Sequence, residues 1–468
     1  MHTICSNFQS HNLYLIISII AVTGMLSCDD LVTVDAPETG LVRSAVFESN
    51  STAQSAMASV YLNLASSSSF AGGSFGSITV LEGAYADELY WYGTSASSST
   101  PFYLNTVSAS SSTVLSLWTG MYNLIYSSNA VIEGLNDSRG TTEIVRTQLT
   151  GEALFMRAFV HFYLMNLFGD VPYITTTDYD VNATMPRTPA DDVHAHVVSD
   201  LLKAQELLTD NYPTANRVRV NRGAATALLA RVYLYHRQWA EAEAQANTVI
   251  NAEQYLITTQ LDSVFRKTSN ETLWQLIPDY NNTNEGALFK LVAPPKYVAL
   301  RNEVFNAFEY GDRRKTTWVG TYTSSSGLSK WYYPYKYVES SVNGKGREYS
   351  IILRLAEQYL IRAEARAMQN NLTGDHSAAS DLDVIRTRAG LTRTTATTQD
   401  QLMRAIEQER RVELFTEWGH RFFDLSRWNR LNAVLSTTKP NWNDTDALLP
   451  IPQNEIIINP KLKQNNGY

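Results

Sequence analysis

Apolar residues recur at helical spacing over most of this chain and at strand spacing in only a few short stretches. Residues 53–65 place Ala56, Val60 and Leu64 on one face. Residues 114–135 read as a second helix. Residues 143–168 read as a long third one, closed by Gly169 as a C-cap. This third helix carries more apolar residues than one stripe needs, so it is expected between neighbours. Thr188-Pro189-Ala190-Asp191 opens another helix, with Thr188 as cap, Pro189 in the first position and Asp191 on the dipole, followed by 192–208. The clearest unit spans 223–250. Small Ala227 and Ala230 alternate with Leu229, Tyr233 and Leu234, then Arg237-Gln238 breaks the helix before a second one with Ala242 and Ala246. Small-against-large packing of two antiparallel helices is the physics of a tetratricopeptide repeat. Residues 353–368 with 378–388 form a second such pair; 143–168 with 192–208, and 402–416 with a neighbour, supply two more. The pattern predicts about four helix pairs.

Residues 252–349 differ. They are irregular and aromatic-rich, with a short strand over 271–277 and alternating Thr, Tyr, Trp and Lys over 316–337 around Ser324-Ser325-Ser326-Gly327, a β-hairpin pattern. Residues 66–69, 95–100 and 108–113 are serine-rich loops. The predicted fold is mainly α: a tetratricopeptide-like scaffold of about four helix pairs with loop-rich, aromatic-rich insertions and a few short strands. The insertion reads as an elaboration of the scaffold, not a separate domain.

The N-terminus has another purpose. Residues 13–25 are nearly all apolar, the length of a signal h-region and too short to cross a bilayer. No other stretch approaches 18 apolar residues. Ser27-Cys28 closes the run and resembles a bacterial lipobox, with Asp29 and Asp30 directly after it. The expected organisation is a lipoprotein signal peptide over 1–27, a tether lipidated on Cys28 over 28–52, and a helical domain over 53–468. Cys5 falls in the removed segment, so a mature chain would keep no disulfide. The net charge of −8 disfavours a nucleic-acid partner.

There is no HExxH, P-loop or GxGxxG. Asp192, His194 and His196 sit at a helix start and read as a solvated face. Asp178-Tyr179-Asp180-Val181-Asn182 begins like a calcium loop, but Ala183 and Pro189 occupy its sixth and twelfth positions, which excludes an EF-hand. A calcium ion in another geometry stays open; no cofactor is predicted. Glycoside hydrolysis needs two carboxylates roughly 5–9.5 Å apart across one bond, and the adjacent Asp87 and Glu88 point apart on an extended segment. Glu409, Arg410, Arg411, Glu413 and Glu417 have the spacing of structural ion pairs. Aromatic rings remain. Tyr and Trp pair a flat apolar face with a hydrogen-bonding edge, which suits a sugar ring, and the chain has 26 tyrosines. Tyr90-Trp91-Tyr92 leads into a serine-rich loop, so at least one ring is expected to be exposed, Trp91 first. Tyr280 with Asn281 and Asn282, and Trp318, Tyr322 and Trp331 on the hairpin, are further candidates. Trp274, Trp418 and Trp428 read as core, and Trp239 as part of the repeat.

Residues 409–428, ERRVELFTEWGHRFFDLSRW, read as one helix, and 448–468, LLPIPQNEIIINPKLKQNNGY, as a non-helical tail. With 151–173, GEALFMRAFVHFYLMNLFGDVPY, and the 353–367 helix, they resemble the SusD/RagB family of cell-surface nutrient-binding lipoproteins, its C-terminal signature lying within 350–468. The resemblance implies a glycan-binding protein, not an enzyme, lipid-anchored to the outer membrane and facing the cell exterior. It implies capture of an oligosaccharide or polysaccharide and delivery to a SusC-like TonB-dependent transporter. The alternatives are a tetratricopeptide-type peptide-binding surface lipoprotein and, behind it, a surface glycoside hydrolase.

Overall fold

The computed structural model describes residues 46–468, apart from 67–69, 72–73 and 279. The signal segment and Cys28 therefore lie outside the described residues. Phe47 to Tyr468 form one compact unit.

Its frame is a succession of helices: α1 (Asn50–Ser66), α2 (Ile78–Tyr85), α3 (Ser112–Asp137), α4 (Glu143–Phe168), α5 (Ala190–Leu207), α6 (Arg222–Tyr235), α7 (Trp239–Ile250), α8 (Leu355–Met368), α9 (Ala378–Arg388), α10 (Gln399–Glu413) and α11 (His420–Arg427). From α3 to α9 each helix packs on the next, and α10 closes on α8 and α9. Small residues make this approach close. Ala227 and Ala230 on α6 and Ala242 and Ala246 on α7 are all fully buried, and α4 is buried on nearly every side from Gly151 to Met165. Polar caps fix the ends. Asn221 Oδ1 accepts from Ala224 N at 2.9 Å, and capping boxes open α9 (Ser377, Ser380) and α10 (Thr398, Gln401).

Three local expectations fail, each for a physical reason. Thr188 does not cap α5; its backbone pairs with Val171, Pro189 takes the cap position, and the first turn is met by Asp170, whose Oδ1 accepts from Ala190 N at 2.9 Å. Residues 409–428 are not one helix. α10 stops at Glu413, Thr416, Trp418 and Gly419 adopt positive φ, and α11 begins at His420. An unbroken helix would need burial all round its surface; the break instead sends Phe415 against Phe308 and Trp418 against Phe70 and Phe159. The C-terminal tail does contain a turn of helix, Gln453–Ile458, which follows Pro452.

Two small sheets complete the fold. β1 (Leu89–Trp91), β3 (Val298–Leu300), β4 (Val319–Thr323) and β5 (Lys330–Pro334) form an antiparallel sheet in the order β1-β3-β5-β4, in which β4 and β5 are a hairpin. β2 (Thr272–Leu276) pairs with β6 (Ser350–Arg354), which runs directly into α8. Trp274 on β2 is fully buried, its edge on Phe155 and Phe159 of α4. An ionic cluster ties β6, α9 and α10 to the insertion. Arg354 reaches Glu271, Glu413 and Glu417; Arg388 reaches Glu271 and Glu413; Arg314 reaches Asp312, Glu409 and Glu413.

Candidate ligand site on the four-stranded sheet

Side chains alternate across a pleated sheet, so the pairing register decides which rings share a face. Leu89 opposes Leu300, Leu300 opposes Tyr332, and Trp91 opposes Val298. Leu89, Trp91, Val298 and Leu300 face the core, in one cluster with Phe265, Phe308 and Trp318. The intervening positions, Tyr90, Ala299, Trp331 and Tyr322, turn the other way. Four aromatic residues from β1, β5 and β4 thus share one face, Tyr90, Trp331, Tyr333 and Tyr322, with the small Ala299 between Tyr90 and Tyr333.

That face is open. Tyr90, Tyr322 and Trp331 are half-buried, and Tyr92, just past β1, is 43% exposed. The Tyr90 and Tyr92 rings meet edge to face at 6.4 Å, and Tyr322 lies 6.0 Å from Trp331. The Arg301 guanidinium sits 4.8 Å over the Tyr90 ring and is held by Glu303 at 3.1 Å. Burial raises the Tyr92 hydroxyl pKa, against the pull of the Trp331 indole N–H. Burial raises that of Tyr90, to which Glu303 adds. Both stay neutral donors and acceptors across the physiological range. Gly320 on β4 allows the Tyr333 ring to lie over the strand, since a Cβ there would fall 2.1 Å from it.

The structure separates the six candidate rings. Tyr90, Tyr92 and Trp331 come together. Trp91 does not join them: it is only 8% exposed, its Nε1 donates to Thr100 Oγ1 at 2.9 Å, and its ring stands edge-on to Phe75. A middle residue of a strand points opposite its neighbours, so the ring expected to be most exposed is the one turned inward. Trp318 is also core, 1% exposed, with Nε1 donating to Leu261 O at 2.8 Å. It precedes β4, outside the hairpin alternation. Tyr280 is exposed, but among the described residues no ring contact joins it to the others, and Asn282 is buried, its Oδ1 accepting from Arg347 N. Trp428 is half-buried on Glu364 instead of in the core. Arg301 and Glu303 went unread in the sequence; the one signal for them is their place just after the strand that pairs with Tyr90.

Elsewhere the polar candidates are structural. Both oxygens of Asp87 bond Arg421, and Arg411 adds a third contact. Burial pushes Glu88 up to about 8, opposed by the Thr416 N–H that bonds it. Neither carboxylate faces open space, so the pair cannot flank a glycosidic bond. His194 Nε2 bonds Gln238 at 2.7 Å, its ring stacked on His236; it is buried, where a solvated face was expected. Asp178 caps the short helix Tyr179–Asn182. Among the described residues no group of three His, Cys, Asp or Glu is placed to hold a metal ion.

Comparison with known proteins adds an independent finding. A family model described as "Starch-binding associating with outer membrane" matches residues 48–234, and one described as "SusD family" matches residues 266–468. SusD-like protein P2 of Formosa agariphila is 28% identical over 97% of this chain and 99% of its own. Among solved structures, a laminarin binding SusD-like protein aligns over 90% of this chain and 100% of its own, with 23% identity and a TM-score of 0.77. Surface glycan-binding protein A from Bacteroides fluxus aligns over 89% and 99%, with 24% identity and a TM-score of 0.74.

Proposed function

The chain belongs to the SusD/RagB family, whose members bind carbohydrate and do not catalyse, and from that premise we propose that it captures a glycan on the aromatic face of the four-stranded sheet. The observation that carries this is the register. It turns Tyr90, Trp331 and Tyr322 to one face, with Tyr92 at the edge, and all four rings keep part of their surface open. A pyranose presents an apolar C–H face to such rings and hydroxyls to Arg301, Glu303 and the tyrosine edges. No conversion follows in this reading, because among the described residues no carboxylate pair opens onto the site. In this reading the lipid on Cys28 holds the protein at the outer membrane, facing outward, and the loaded glycan passes to a SusC-like TonB-dependent transporter.

The test is retention of the mature chain on immobilised polysaccharides, laminarin among them, followed by titration of wild type and Trp331→Ala. Removing an anchor ring is expected to weaken binding by about 1–3 kcal/mol, roughly 5- to 150-fold. The melting temperature should hold, because Trp331 lies on an edge hairpin outside the core. Unchanged affinity in both Trp331→Ala and Tyr92→Ala would move the site elsewhere. For the anchor, Cys28→Ala should release the protein from membranes into the soluble fraction; persistent membrane fractionation in cells lacking the transporter would refute lipidation at Cys28.

A further inference from the structure

A second aromatic surface lies on α3, away from the sheet. Trp118, Tyr122 and Tyr126 fall at i, i+4 and i+8, so they stack along one face of the helix over about 12 Å. A stripe like this ordinarily enters a core. Here only its first ring does: Trp118 is 3% exposed and packs edge to face on Phe168, whereas Tyr122 is half-buried and Tyr126 53% exposed. The stripe forms one wall of a cavity of about 360 Å³. The opposite wall holds Tyr179, 76% exposed on its short helix, and Ile458 from the C-terminal turn of helix.

The polar groups divide into two sets. The inner rings are held by their surroundings: Tyr122 donates its hydroxyl to Pro172 O at 2.9 Å, and burial raises the pKa of the Glu455 carboxyl, which the Trp118 indole draws down. The two rings lie 4.8 Å apart and both line the cavity. The rim groups, the hydroxyls of Tyr126 and Tyr179 and the amide of Asn123, have no hydrogen-bond partner among the described residues. Flat apolar faces inside and unengaged donors and acceptors around the mouth match a ligand with an apolar ring face and a polar circumference. A purely apolar side chain from a protein partner would use the faces and leave the rim unsatisfied.

We propose that this cavity is a second carbohydrate subsite, which takes a single pyranose against the α3 stripe with its hydroxyls on Asn123, Tyr126 and Tyr179. It shares no residue with the sheet site and stands whether or not that site binds sugar.

Crystals of the mature chain soaked separately with glucose, galactose, mannose and xylose read both sites in one experiment. A pyranose against Tyr126 and Tyr179 is the expected result. Saturation-transfer NMR with the methyl glycoside of that sugar then gives the solution response. In a Trp331→Ala, Tyr92→Ala background, adding Tyr179→Ala should weaken the remaining binding at least tenfold. Tyr179 is so exposed that its loss leaves the fold intact, which an unchanged melting temperature verifies. The proposal is overturned if none of the four sugars enters the cavity, if binding appears at crystal concentration only, or if a neighbouring molecule's apolar side chain fills the cavity while the sugars stay out. Sugar at the sheet alone would overturn the second subsite and leave the first standing; sugar in the cavity alone would do the reverse.

Discussion

Glu413→Ala is expected to cost the fold about 3–5 kcal/mol, the range for removing one partner of a buried ion pair. Glu413 is fully buried at the end of α10. Its Oε1 accepts from Arg354 at 2.6 Å and from Arg388, and its Oε2 from Arg314 at 2.8 Å. Burial alone would raise its pKa, but the guanidinium groups of Arg388, Arg354 and Arg314 outweigh it and hold the carboxyl well below the usual range. Alanine would leave three buried cations short of an acceptor. They lie between β6, α9 and the helical turn before β4, so the damage reaches both the repeat and the insertion that carries the sheet. A group with a depressed folded pKa stabilises above its unfolded value, near about 4.3, and this contribution is lost as pH falls through the folded pKa. The gap between wild type and variant in urea unfolding should therefore be widest at neutral pH and narrow in acid. Glu339→Ala is the control. Glu339 pairs with Arg347 at the surface, where a pair is worth about 0–1 kcal/mol. Equal losses in the two variants would mean that the buried cluster does not hold the fold.

The repeat was legible because its signal is local. Alanines at helical spacing opposite large residues dictate close helix pairs, and α6–α7 and α8–α9 form where that spacing lies. The C-terminal signature misled for the opposite reason. Residues 409–428 keep a helical period through the break, and only the distant partners Phe308, Phe70 and Phe159 explain why the chain turns at Leu414. The ionic cluster draws on residues 271, 312, 314, 354 and 388 as well, and only its 409-413-417 portion has a periodic spacing in sequence. Within the site, the aromatic run 90–92 was visible but its geometry was not. Read as a run leading into a serine-rich loop, it favours the largest ring; formed as a strand, it turns the middle ring inward. Trp331 and Tyr322 were placed correctly on the hairpin because Ser324-Ser325-Ser326-Gly327 fixes the turn and so the register. Arg301 is out of reach of any local rule, since its position over Tyr90 depends on β1 pairing with a strand about 200 residues later.

Glu82→Gln is expected to act in the other direction and stabilise the protein. Glu82 lies in the middle of α2, fully buried, and neither carboxyl oxygen has a hydrogen-bond partner among the described residues. Its surroundings are the backbone of Gly419 and the ring of Tyr85. With no cation to oppose it, burial pushes the carboxyl up to about 8. In the folded protein at pH 7 the group holds its proton; in the unfolded chain it has lost it. The unfolded state therefore binds fewer protons, and stability falls as pH rises from about 4.3 to about 8, at about 1.4 kcal/mol per pH unit at most. Glutamine has the same shape and does not ionise. The variant should gain roughly 3–4 kcal/mol over wild type at pH 7 and nearly nothing at pH 4. Glu88, also pushed up to about 8, keeps a residual slope in the variant, so the pH profile flattens without becoming level. Urea midpoints for the two proteins at pH 4.5, 6 and 8 decide the matter. A gap that widens with pH supports an unpartnered neutral carboxyl inside the fold. A constant gap, or a destabilised variant at every pH, would mean that Glu82 is ionised in place and partnered, and that α2 is held against α11 by a charge.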